Sequence, residues 1–216
     1  MEFTLGFFSI VVLANDNNPT ILNPDFLIRN GIVDPQWGWK LSAAPITTPP
    51  ISTVKYNDEI SITVDTNKVD IVDAATRSPD ESKIPHIVIN YIKTLPHVRY
   101  TALGINFHSI LKIQNPGNYI TKKFIKDCPL IEQGLITNSR VGFAINKDAI
   151  TKLLISIESG SLKTQNEDEE PILICKGNFH REIPADSVLD FISTQVSNCF
   201  EDWKYFMEIQ NELFLD

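Results

Sequence analysis

The sequence predicts an α+β domain: a mostly antiparallel sheet packed by a mid-chain helix and a long C-terminal helix. Two observations support this prediction. Apolar and polar residues alternate over Ile60–Asp65 and over residues 98–113, which is typical of strands with one wet face. Apolar residues recur at spacings of three and four over residues 185–214, which indicates an amphipathic helix.

The elements follow one another in an order that differs from the alternation of a parallel βαβ fold. A strand at 3–14 is followed by a strand at 37–41, short strands over 51–72, a helix, a long strand, a short helix, further strands over 140–179 and the last helix. The mid-chain helix is expected to start at a capping box beginning at Ser78, although Pro85 would separate or kink its first turn. Each half thus resembles a meander followed by a helix, so a duplicated unit is one interpretation. The sequence shows no repeat at the level of individual residues. A length of 216 residues fits one domain over 1–216.

Composition and charge exclude several classes of protein. The net charge of -8 disfavours a nucleic-acid partner, and no apolar run approaches the roughly 18 residues of a membrane-spanning helix. The three cysteines are widely spaced and suggest no disulfide framework. The apolar run at 5–14 is interpreted as a buried strand rather than a signal sequence, because no basic residue precedes it. We therefore expect a cytoplasmic protein with no membrane partner.

Motifs for catalysis or cofactor binding are missing from the sequence. It holds no glycine-rich phosphate loop, no nucleophile elbow and no pair of histidines with metal-ligand spacing, so we assign no catalytic, cofactor-binding or metal-binding residue. An enzyme of unrecognised class, such as a hydrolase using Asp65 or His108, remains an alternative. It predicts a concave pocket that collects polar side chains from separate strands.

The C-terminal segment carries almost all of the net charge. Residues 182–216 hold eight acidic residues and the single base Lys204, which gives this segment a charge of -7. A helix of about 29 residues would span about 43 Å and could extend beyond the sheet. An overhanging apolar stripe would need a partner, and the residues expected to contact it are Glu201, Asp202, Trp203, Phe206, Met207, Glu208, Glu212, Leu213 and Phe214. The competing interpretation is that the helix bends or breaks and that the whole stripe is core.

These observations favour a non-enzymatic interaction or adaptor subunit that binds a protein partner through the acidic C-terminal helix. Accessory subunits of this kind are typical of multi-gene prokaryotic systems, including defence loci. A homo-oligomeric structural protein that uses the same helix is a further alternative. The adaptor hypothesis predicts that deletion of residues 204–216 abolishes partner binding and leaves a folded core.

Overall fold

A single antiparallel sheet of nine strands forms the centre of the molecule. The computed structural model describes residues 2–57, 59–163 and 169–214. The strand order is β2-β3-β4-β5-β1-β6-β9-β8-β7, and every neighbouring pair is antiparallel. The strands are β1 (Thr4–Asn15), β2 (Ile46–Thr47), β3 (Ile51–Tyr56), β4 (Ile60–Asp65), β5 (Lys68–Asp73), β6 (Arg99–Lys112), β7 (Val141–Asn146), β8 (Lys152–Lys163) and β9 (Glu169–Glu182). The predicted α+β class is thereby confirmed.

Helices cover one face of this sheet. They are α1 (Pro24–Arg29), α2 (Ile84–Thr94), α3 (Pro116–Phe124), α4 (Pro129–Glu132), α5 (Val188–Ser197) and α6 (Cys199–Phe214). Two 3₁₀ turns lie at Pro19–Ile21 and Pro35–Trp37. None of the helices within the described ranges is long and apolar enough to cross a membrane.

The two halves of the chain have related topologies. In the first half the strands run β3-β4-β5-β1 from the edge to the centre, and in the second half they run β7-β8-β9-β6. A short helix follows the central strand in each half, and each meander ends in a packing helix, α2 or the α5–α6 pair. Strands β1 and β6 pair antiparallel at the middle of the sheet, so the halves are related by an approximate two-fold axis between them. The expected pair of meander-plus-helix units is therefore present in the topology.

The two faces of the sheet differ in chemistry. The helix-covered face carries buried apolar side chains such as Phe8, Ile105, Phe107 and Phe179, and Phe107 contacts Phe206 of α6 with ring centroids 6.3 Å apart. The opposite face, here called the outer face, is polar at its centre, where Asn178 hydrogen-bonds Asn106 and Asn106 donates to Ser9 at 3.2 Å. The period-two pattern produces this difference because successive side chains of a strand point to opposite faces.

Two local predictions concern segments whose observed structure differs from a single regular element. The strand expected at 37–41 is instead a 3₁₀ turn, because Pro35 starts the turn and Gly38, with a φ of 67°, ends it in the left-handed region. The capping box at Ser78 forms a separate turn, and α2 begins at Ile84 with Pro85 in its first turn, as the alternative reading of Pro85 anticipated.

The single long helix expected over 185–214 is wrong in its extent. The segment holds two consecutive helices, α5 and α6, separated at Asn198, and α5 begins at Val188. The backbone N–H of Asn198 ends α5 on the carbonyl of Thr194, while its own carbonyl accepts the N–H of Glu201 at 3.0 Å at the start of α6. The break shortens the reach of each helix and allows both to pack on the sheet.

Candidate interaction surfaces

The nine residues predicted to contact a partner fall into three groups by exposure. Three acidic side chains are exposed on α6: Glu201, Glu208 and Glu212. Three apolar side chains are half-buried: Trp203, Met207 and Leu213. Three are core residues with at most 6% of their surface exposed: Asp202, Phe206 and Phe214. The last group is therefore buried in this chain, and partner contact stays a prediction for all nine residues.

Aromatic packing explains why the end of the stripe is buried. Phe214 lies 5.0 Å from Phe3 and 5.6 Å from Phe124, measured between ring centroids, so the last turn of α6 packs on β1 and α3. Phe206 contacts Phe107 and also approaches Gly177 of β9, where the absence of a side chain leaves room for its ring. Phe206 and Phe214 of the apolar stripe therefore pack against other elements of the same chain.

Asp202 has a structural role that the sequence did not reveal. Its carboxylate accepts hydrogen bonds from Nη2 of Arg181 at 2.7 and 2.8 Å and from Nζ of Lys147 at 2.7 Å. Arg181 lies on β9 and is 3% exposed. One carboxylate thus neutralises part of the charge of two cations inside the protein, as buried ions require. The ion cluster joins α6 to β9 and to the β7–β8 hairpin.

The residues of the enzyme alternative lie apart. The Asp65 carboxylate accepts the backbone N–H groups of Asn67 and Lys68 at 2.7 and 2.9 Å and so stabilises a hairpin turn. His108 lies three strand spacings away on β6, and the strand registers place it about six residues further along the sheet, which gives a separation of about 24 Å. Its ring stacks on Phe7 at 4.5 Å, and burial together with the nearby Lys176 lowers its pKa to about 4. His108 is therefore neutral at pH 7 and does not form a pair with Asp65.

The cysteines and Ser109 also have packing roles. Burial raises the pKa of the Cys175 thiol and of the Cys199 thiol to about 12, which keeps both protonated and unreactive at neutral pH. Ser109 lies on the helix-covered face, donates to the carbonyl of Cys175 at 3.3 Å and accepts a hydrogen bond from Gln210 of α6. Within the described ranges, no group of three or more His, Cys, Asp or Glu residues could hold a metal ion.

The edge strand β7 has features that the sequence reading did not anticipate. Its six residues, Val-Gly-Phe-Ala-Ile-Asn, include no charged residue and no proline, and its pairing with β8 shows no register shift. Natural edge strands are usually protected by charges, prolines, bulges or very short length. Strand β7 has none of these four protections.

The hydrogen-bond pattern identifies which backbone groups of β7 lie at the free edge. Lys147 N–H donates to the carbonyl of Thr151 at 3.0 Å, which makes this the first hydrogen-bonded pair of the β7–β8 hairpin. Such pairs alternate along an antiparallel ladder, so Val141, Phe143 and Ile145 bond to β8. The backbone groups of Gly142, Ala144 and Asn146 point away from β8, and no other described strand pairs with them.

The equivalent strand of the first half is covered. The approximate two-fold axis relates β7 to β3, and the outer side of β3 pairs with β2 through Ile46 and Thr47. Leu41 forms a further bridge to Tyr56, and the two-residue β2 is followed by prolines 49 and 50. The fold therefore protects one edge of its sheet and leaves the symmetry-equivalent edge unprotected within the described ranges.

Exposed apolar side chains occur near both edges of the sheet, with Leu41, Ile46 and Ile51 near β2 and β3 and a second group near β7. Four of the large apolar side chains that are more than 40% exposed lie between residues 130 and 154: Leu130, Leu135, Ile150 and Leu154. Leu154 pairs directly with Ala144 across the β7–β8 ladder, and Ile150 lies in the hairpin loop. An unpaired strand flanked by exposed aliphatic groups is typical of a surface that contacts another chain.

Comparisons of this chain with protein-family models, with curated proteins and with solved structures find no match. Any functional assignment therefore rests on the geometry of the molecule alone.

Proposed function

We propose that this chain is a non-enzymatic interaction subunit that binds a protein partner by strand addition at β7. The observation that carries this proposal is the unprotected edge, where the backbone groups of Gly142, Ala144 and Asn146 point away from the sheet. Strand addition uses such groups for affinity and the alternating side chains for specificity. The proposed partner presents an extended segment whose backbone groups pair with those of Gly142, Ala144 and Asn146.

The placement of the ionisable residues supports binding over catalysis. Asp65 and Asp202 are committed to a turn and to a buried ion cluster, and His108 is stacked on Phe7. The three cysteines are free, which agrees with a reducing compartment, and a cytoplasmic location is part of the proposal. A subunit of this kind would serve a multi-component assembly, as accessory proteins of prokaryotic multi-gene systems do.

A second contact surface is proposed on the outer side of α6. Glu201, Glu208 and Glu212 are exposed there, and the segment 182–216 carries a charge of -7. These groups would steer a basic partner toward the molecule. The test is a triple variant, E201Q with E208Q and E212Q, which should slow association and weaken its salt dependence. An unchanged association rate would exclude this surface.

Substitution of one edge residue tests the main proposal. Proline at position 144 removes an N–H that faces away from β8 and fixes φ near -65°, so Ala144→Pro should weaken strand addition by about tenfold or more. Ala144→Ser is the matched control because it keeps the backbone N–H. Ala144→Lys is a second edge variant that protects the strand with a charge instead of changing the backbone.

The measurement is capture by the tagged protein in a lysate of its own host, read by mass spectrometry. We expect the wild-type chain and Ala144→Ser to retain a stoichiometric partner, which includes an untagged copy of the chain, and Ala144→Pro and Ala144→Lys to lose it. Equal retention by all four proteins contradicts strand addition at β7. Absence of any stoichiometric partner of the wild type contradicts the interaction function as a whole.

A further inference from the structure

We infer that the segment added to β7 is β7 of a second copy of this chain, in an antiparallel pairing whose two-fold axis passes through Ala144. This inference rests on the proposed function and names the partner for the same edge. The resulting assembly is one continuous sheet across two protomers. An antiparallel pairing of a strand with its own copy is isologous, so it closes with two chains.

The hydrogen-bond parity of β7 restricts the register of this pairing. Only Gly142, Ala144 and Asn146 direct their backbone groups outward, so hydrogen-bonded pairs across the new interface must join these positions. A two-fold axis at Ala144 joins Ala144 to its own equivalent and Gly142 to Asn146 of the second copy. A two-fold axis at Gly142 or at Asn146 would leave some of these three residues without a partner among the outward residues of the second strand. An axis at Ala144 places all three residues of both strands in hydrogen-bonded pairs.

The side chains of β7 suit this register. On the helix-covered side, Phe143 would lie opposite Ile145 of the second copy, which forms an aromatic pair with a β-branched side chain. On the outer face, the small residues Gly142 and Ala144 let the two strands approach without steric conflict. Gly142 has no heavy atom closer than 3.6 Å to the position of an added Cβ, so the neighbourhood of this residue is open.

Charges at the two ends of β7 favour a second copy as the partner. The same register places Arg140 opposite Asp148 of the second copy, and the two-fold axis makes this contact twice. Arg140 is largely exposed and pairs with Glu158 of its own chain at 3.3 Å, while the exposed Asp148 accepts the backbone N–H groups of Ile150 and Thr151. The new contact would add a second carboxylate to the exposed guanidinium. Residues 140–152 hold the bases Arg140, Lys147 and Lys152 and the single acid Asp148.

Site-specific cysteine cross-linking tests the register directly. In a Cys128→Ser background, which removes the partly exposed native thiol, Ala144→Cys places two thiols across the axis at the Cα separation of about 5.5 Å found in hydrogen-bonded pairs. Gly142→Cys is the matched control on the same strand and face. Its two copies would be four residues apart in register, at about 13 Å, which is too far for a disulfide.

We expect mild oxidation to give a covalent dimer with Ala144→Cys and none with Gly142→Cys, and the uncross-linked wild type to show a concentration-dependent dimer in sedimentation analysis. Ala144→Pro should raise the dimer dissociation constant by about tenfold or more, and Ala144→Ser, which keeps the backbone N–H, should raise it by less. A wild type that stays monomeric at every concentration overturns the inference. Cross-linking through position 142 in place of 144 also overturns it, because the axis would then lie elsewhere.

The two proposals fail in different ways. In one outcome, the wild type is monomeric and still retains a different protein that Ala144→Pro loses. That result overturns the inference of a second copy and supports strand addition at β7. Equal retention of the partner by the wild type and all Ala144 variants overturns strand addition at β7 itself.

Discussion

Nη2 of Arg181 lies 2.7 and 2.8 Å from the two carboxylate oxygens of Asp202, and this contact fixes the last helix on the ninth strand. Both side chains are at least 97% buried, and Lys147 contributes a second cation to the same carboxylate. Two atoms of the guanidinium, Nε and Nη1, have no hydrogen-bond partner among the described residues. The stability of this ion cluster therefore depends strongly on the negative charge of the Asp202 carboxylate.

Asp202→Asn should destabilise the fold by about 3–5 kcal/mol, because it leaves the buried Arg181 and the half-buried Lys147 without their counter-charge. Urea unfolding followed by circular dichroism measures the loss. The matched control is Glu201→Gln, one residue away on the exposed side of α6, which should stay within about 0.5 kcal/mol of the wild type. Equal stabilities of the two variants would show that the buried cluster does not support the fold.

Gly177→Ala should destabilise the protein by about 1–3 kcal/mol, as overpacking in a close-packed core does. An added Cβ at Gly177 would lie 2.7 Å from the Phe206 ring, and that ring is fully buried and has no space into which it can move. Gly142→Ala is the control, since its nearest neighbour would be 3.6 Å away. Thermal unfolding of both variants decides the point, and an unchanged midpoint for Gly177→Ala would contradict the close packing of α6 on β9.

Deletion of residues 204–216 should abolish cooperative unfolding. The deleted segment contains Phe206, Gln210 and Phe214, which are core residues, so the truncated chain exposes the aromatic cluster around Phe107. This outcome differs from the folded core that the overhanging-helix hypothesis predicted. A truncated chain that unfolds cooperatively near the wild-type midpoint would show that α6 is dispensable, and would restore that hypothesis.

The stability of the protein should fall between pH 6.5 and pH 4 partly because of His108. Burial and the nearby Lys176 lower the folded-state pKa of His108 to about 4, whereas the unfolded chain has the ordinary value of about 6.5. Between these values the unfolded state binds more protons, so stability decreases as the pH falls. His108→Gln should show a smaller loss between pH 7 and pH 4.5 in urea titrations. An equal loss in both proteins would mean that His108 titrates normally in the folded state.

Local periodicity was sufficient to predict the class of the fold and most of its strands. The long strand expected at 98–113 is β6 (Arg99–Lys112), because an alternating pattern of this length has few competing interpretations. The segment at 37–41 was mistaken for a strand, since two tryptophans outweighed the turn preference of Pro35 and Gly38. The C-terminal stripe was correctly predicted as helical, but the break at Asn198 has no strong sequence signal.

The proposed binding edge is less predictable from sequence because its position depends on the strand order. The strands expected over 140–179 are present as β7, β8 and β9, yet no local pattern indicates that β7 lies at the edge of the sheet. The signal that the sequence analysis overlooked is the run from Val141 to Asn146, which holds no charged residue and no proline. Likewise, the partners of Asp202 lie 21 and 55 residues away in the sequence, so its burial could not be inferred from a helical wheel.

Residue-resolved hydrogen exchange of β7 tests the central claim most directly, in dilute protein and in the assembled state with its partner or second copy. The account predicts that the amides of Gly142, Ala144 and Asn146 exchange freely when the protein is dilute. Their exchange should become about tenfold slower or more on assembly, while the amides of β3 do not change. Equally fast exchange of these three amides in both states would contradict the assignment of β7 as the binding edge.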